Sequence, residues 1–149
     1  MNVSLVDWLN QGRLRPHKTS KNEIRQLLAV FERDMTDARS NTISVDRRFA
    51  TAYNAALTAA TAALAASGYR PAGEGHHYWV IQSLAFTLQL DAETIEEFNR
   101  FRRKRNTIDY ERIGAVSEKE VQEMLELAKG IQAKLEAWLK KNHPELIVM

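Results

Sequence analysis

Residues 50–66 read ATAYNAALTAATAALAA, and ten of these seventeen are alanine. Alanine gives up no side-chain entropy on entering a helix, so the stretch predicts helix from end to end. It also presents little bulk, which lets neighbouring helices approach closely. The helix is expected to begin around Ser44 and to run to Gly68, a residue suited to the left-handed turn that closes many helices.

The same 3.6-residue period continues on both sides. Upstream, Ser20 and Glu23 have capping-box spacing. Ile24, Leu27, Leu28, Phe31 and Met35 then mark one apolar face of a helix expected to end near Ser40 and Asn41. Further upstream, Leu5, Val6, Trp8 and Leu9 suggest a short helix stopped at Gly12. Downstream, the turn GYRPAGEG (68–75) leads into a helix from about His76 to Leu90. Asp91 is placed to cap the next helix, expected to reach Asn106 or Tyr110 before Gly114 breaks it. Ser117 and Glu120 form a second capping-box pattern, and a stripe from Val121 to Leu139 continues until just before Pro144. No stretch reads as a strand, and no internal repeat occurs. The expected fold is all-α: an up-and-down four-helix bundle with an additional short N-terminal helix, in a single domain over residues 1–149.

Composition narrows the function classes. With 44% hydrophobic and 27% charged residues the chain is an ordinary globular sequence, not a disordered one. It has no cysteine, which excludes a disulfide framework, a thiolate zinc site and a thiol nucleophile. No run approaches the roughly 20 apolar residues of a membrane helix, and MNVSLVDWLN lacks a signal peptide's basic start and apolar run. A cytoplasmic protein with no membrane association is expected. The phosphate-cradling glycine loops and the G-x-S-x-G elbow are absent.

The net charge of +2 conceals a sharp local asymmetry. Asp91, Glu93, Glu96 and Glu97 are followed by Arg100, Arg102, Arg103, Lys104, Arg105 and Arg112, with only Asp109 and Glu111 interspersed. Such a segment fits either a local anion site or simply a solvated helix face. At 100° per residue, Ile95, Phe98, Phe101 and Ile108 form an apolar stripe with Arg105 near its middle. Asn106, Arg102 and Tyr110 lie along one flank, with Arg103 beyond them. A guanidinium on a core-facing stripe is costly unless paired. Two readings follow: a structural Arg105–Asp109 pair four residues apart, or an Arg105 that faces a ligand phosphate or a second subunit.

The string RKRNTIDY (103–110) resembles the HEPN superfamily, helical bundles whose motif is Arg, often Asn, and then a His four to six residues later. Gly75-His76-His77-Tyr78 before the third long helix is similar to a subgroup of small stand-alone bacterial members with an Arg-Asn-x-x-x-Tyr version. The resemblance implies an RNA- or nucleotide-binding homodimer, in the full-motif members a metal-independent ribonuclease paired with a nucleotidyltransferase-type antitoxin. Carried onto this chain, it makes Arg105, Asn106 and Tyr110 the catalytic candidates, with Arg102, Arg103, Asp109, His76 and His77 binding substrate. Tyr110 stands where the family has His. Phenol titrates at about 10 and imidazole at about 6.5, so Tyr110 is suited to donating a hydrogen bond and not to general base work at neutral pH.

His77 is expected to face the bundle and His76 to diverge from it by one helical step. Either a hydrogen-bonded core role or substitution for the missing motif His fits this placement. Glu74-x-x-His77 matches half of a di-iron pattern, but the second half is absent, so no metal and no cofactor are expected. Phe98 and Phe101 belong to the core stripe, leaving the basic segment without interleaved exposed aromatics. His17 and His143 carry no signal. The alternative to an RNA-binding protein is a non-enzymatic, dimeric helical interaction module held by an Arg105–Asp109 pair.

Overall fold

The alanine-rich stretch forms the middle of helix α3 (Val45–Ala66), and the other long helices are disposed around it. The computed structural model describes residues 4–73, 75–108 and 116–147. Before α3 come the short helix α1 (Leu5–Asn10) and α2 (Lys21–Ala38); after it come α4 (His76–Thr87), α5 (Ala92–Ile108) and α6 (Glu118–Asn142). The chain is mostly helical. Helices α2, α4, α5 and α6 all pack on α3, whose Ala52, Ala55, Ala56, Ala60, Ala62 and Ala63 are fully buried. The core is completed by Ile24, Phe31 and Met35 of α2, Phe98 of α5, and Met124, Ile131 and Leu135 of α6. Among the described residues no helix is long and apolar enough to cross a membrane.

Capping chemistry sets the helix starts. Ser44 accepts from the Arg47 amide and Asp91 from that of Thr94. Ser117 and Glu120 form the full reciprocal box. The pattern at Ser20 is realised only in half. Ser20 accepts from the Glu23 amide, but the Glu23 carboxylate turns outward to His17 Nε2 at 2.8 Å and to the Thr19 hydroxyl at 2.6 Å. Two side-chain donors together beat the lone backbone N–H, and His17 thereby acquires a role that the sequence does not signal.

Two corrections concern elements. Strands β1 (Leu14–Pro16) and β2 (Tyr69–Pro71) form an antiparallel ribbon, with Arg15 opposite Arg70. Each has three residues and ends in proline, too short to show alternation. The ribbon exists because the segments leaving α1 and α3 run side by side, with Leu14 buried beneath. Helix α4 stops at Thr87, three residues early, because Gln89 adopts φ of 56° and the Leu90 amide turns back to the Leu84 carbonyl.

Candidate cationic site between α4 and α5

Helix α5 buries Ile95, Phe98 and Phe101 as its stripe predicts. Two T-shaped ring contacts fix its rotation against α3: Phe98 on Tyr53 with centroids at 5.7 Å, and Phe101 on Phe49 at 5.6 Å. That rotation leaves Arg102 and Arg105 half-buried on the side toward α4, while Arg103 and Asn106 are exposed. Arg103 lies against Glu96 at 3.0 Å, and Lys104 reaches Glu120 of α6 at 3.4 Å. The outer cations of the basic segment thus serve the surface, and Arg102 and Arg105 form the inner pair.

Opposite them, α4 presents His77 and, one helical step away, the exposed His76. His77 Nδ1 lies 3.2 Å from the Tyr53 hydroxyl. Tyr53 is fully buried, and its phenol is pushed up to about 12 by burial, an effect that the charges of Arg102 and Arg105 partly offset. The same surroundings hold His77 below the usual imidazole range: burial is the main cause, followed by the charges of Arg105, Arg102 and His76. Both rings are therefore neutral at pH 7. Where Nδ1–H donates to the phenol oxygen, Nε2 is left as a proton acceptor.

A polar ladder locks the arginine side. Asn99, buried on α5, donates to Gln82 Oε1 of α4 at 2.8 Å and accepts from Arg102 Nε at 3.2 Å. The Arg102 guanidinium also lies over the ring of Tyr78, 5.6 Å from its centroid. Phe98 and Phe101 are buried as expected, and the exposed aromatic beside the basic segment comes from a different helix.

The sequence-predicted residues thus divide. Arg102, Arg105 and His77 converge around Tyr53. Arg103 and Asn106 are on the outside of α5. Asp109 and Tyr110 lie outside the described residues, as does Glu74, so the Arg105–Asp109 pair does too. Sequence reasoning missed Tyr53, Gln82, Asn99 and Tyr78. A tyrosine interrupting an alanine face was the available signal for the first, since a buried phenol needs a polar partner. Among the described residues, no three His, Asp or Glu side chains come together with metal-binding geometry. A separate groove of about 500 Å³, lined by Leu90, Thr94, Leu127, Gly130 and Ile131 among others, lies between the start of α5 and α6 and contains none of the site residues. Compared with protein-family models, curated proteins and solved structures, the chain matches none of them.

Proposed function

We propose that this chain is a HEPN-like four-helix bundle that binds RNA or a nucleotide, as a homodimer, through Arg102, Arg105, Asn106 and Tyr110. The observation that carries the reading is the placement of two half-buried guanidiniums on the side of α5 that faces the half-buried His77 ring. A phosphodiester needs that combination: fixed positive charge for the phosphoryl oxygens and a group able to take a proton near pH 7. In this reading His77 substitutes for the motif histidine replaced by Tyr110.

The reaction it supports is metal-independent transesterification. His77 Nε2 takes the proton of a ribose 2′-hydroxyl, whose oxygen attacks the adjacent phosphorus. The bond to the 5′-oxygen of the next nucleotide breaks as a 2′,3′-cyclic phosphate forms, and the departing 5′-oxygen takes a proton from water to leave as a hydroxyl. Arg105 stabilises the charge that develops on the phosphoryl oxygens, while Asn106, exposed on α5, is left to meet the substrate away from the reacting group. A toxin role, with a nucleotidyltransferase-type antitoxin as partner, belongs to the same proposal.

The test is incubation of the purified chain with mixed RNA in the presence of a chelator, beside Arg105→Ala and His77→Gln. The expected result is cleavage by the parent chain and a loss of about a hundredfold or more in each variant, the scale seen when one charge-stabilising group is removed. Cleavage indifferent to Arg105, or dependent on metal, defeats the proposal. A chain that neither binds nor cuts RNA, and whose dimer is disturbed by Arg105→Ala, is instead the non-enzymatic interaction module.

A further inference from the structure

Among the described residues only Val6 and Tyr78 are large apolar side chains that stand exposed, and Tyr78, at 37% exposure, is the one beside the cationic site. Its ring is not loose. It meets Trp79 edge-on, with centroids 5.0 Å apart and planes at 85°. Trp79 is fixed in turn by Trp8 of α1 at 5.0 Å and by the Arg13 guanidinium, 4.1 Å from its ring centroid. Trp8 rests on Phe86 at 5.0 Å. A train of aromatic rings from α1 and α4 therefore buttresses one exposed phenol.

The helix registers explain why Tyr78 and Arg102 meet. Tyr78 and Gln82 are four residues apart on α4, and Asn99 and Arg102 three apart on α5, so each pair shares a face. The Gln82–Asn99–Arg102 ladder joins those faces and holds the guanidinium beside the ring. The strip then reads, in space, Arg102, Tyr78, Trp79, Arg13: a cation at each end and two aromatic rings between them.

We propose that Tyr78 is a base-stacking subsite, so that the site takes an unpaired nucleotide, its phosphate held by Arg102 and Arg105 and its base laid on the Tyr78 ring. The assignment rests on the anion-binding reading above and adds the ligand's base and strandedness to it. Stacking on an aromatic face needs a base whose own faces are free, which single strands offer and duplexes do not. Because every base has a π-face, the subsite selects for single-strandedness and hardly for sequence. Arg13, beyond Trp79, supplies a second cation along the strip, favouring an oligonucleotide over a mononucleotide.

The experiment measures binding, at one fixed low salt concentration, of a short 2′-O-methyl oligo(A), an abasic strand of equal length, a duplex of that length and AMP. The 2′-O-methyl group blocks cleavage. Expected are tightest binding of oligo(A), a loss of about tenfold on oligo(A) in Tyr78→Ala, and retention in Tyr78→Phe, the scale of one stacked base. The abasic strand is expected to bind the parent chain and Tyr78→Ala within about twofold of each other. Because Tyr78 is exposed, the alanine variant is expected to keep the parent's far-ultraviolet circular dichroism. Equal affinity of the parent for abasic and base-bearing strands overturns the subsite, as does a Tyr78→Ala loss that is absent or the same on both. In those cases weakened abasic binding by Arg105→Ala leaves the anion site standing. A parent chain that binds neither strand removes both.

Discussion

His77 is half-buried beside two arginines, and the consequence is a definite direction of pH dependence. Burial first, and then the charges of Arg105, Arg102 and His76, disfavour its protonated form in the folded chain. An unfolded imidazole titrates at about 6.5. Below that pH the unfolded chain takes up a proton that the folded chain resists, so stability is fully present above about 6.5 and falls as the pH drops toward the lowered folded value. Tyr53 acts at the other end. Its phenol, raised to about 12, favours folding below an unfolded value of about 10, and that contribution is lost as the pH climbs between the two. Urea midpoints measured from about pH 7.5 down to about pH 5 on the parent and His77→Gln check the first statement. The parent's advantage over the variant should shrink with falling pH, and the other three histidines, present in both, cancel. Parallel profiles would show that His77 titrates normally.

Helix α3 is shaped by what its side chains lack. Ala56 is fully buried where other helices approach, whereas Asn54, on the same helix, is exposed. Ala56→Leu forces three carbon atoms into a filled layer and should cost about 1–3 kcal/mol or more, while Asn54→Leu should stay within about 0.5 kcal/mol. Both are read from urea unfolding with unchanged slope, and an Ala56→Leu chain as stable as its parent would refute close packing of the helices. This helix was legible because seventeen residues repeat one local preference. So were the stripes of α2, α5 and α6, since apolar side chains at helical spacing report burial directly. Features decided by a competition between local partners, or by partners distant in sequence, were not. Gln89 adopts a left-handed turn with no glycine to announce it, and Glu23 abandons its capping box for His17 and Thr19. Leu14 and Pro71 pair across the ribbon from positions far apart in the chain. At the site, the wheel placed Arg105 on the inner side of α5 and His77 toward the bundle. It had no means of supplying Tyr53, Gln82 or Tyr78, which come from α3 and α4.

At the scale of the molecule, α2 and α6 each pack extensively on α3. One side chain links all three. Arg48, near the start of α3, is buried; its Nε donates to the Ala38 carbonyl at 2.8 Å and its terminal nitrogen to Glu118 Oε2 at 2.7 Å. Ala38 ends α2, where the last carbonyls have no partner within the helix, and Glu118 opens α6, where a carboxylate suits the positive end of the helix dipole. The guanidinium therefore satisfies one helix end and anchors another, and the bond from Arg48 lowers the Glu118 carboxyl below its usual range. The two halves of this clamp are unequal. The Glu118 side chain is more than half exposed, so Glu118→Gln loses a screened charge but keeps an acceptor, and should cost little. Arg48→Met fills the same space but leaves the Ala38 carbonyl without its bond, and should cost about 1–3 kcal/mol. Because the folded Glu118 carboxyl is lowered, its share is present above its unfolded value and fades as the pH falls through the folded one. Chemical denaturation of both single variants and the double variant measures the coupling. The expected order is Arg48→Met well below Glu118→Gln, with the double variant close to Arg48→Met alone. If both singles cost the same and their effects add, Arg48 and Glu118 act independently, and the guanidinium does not couple the end of α2 to the start of α6.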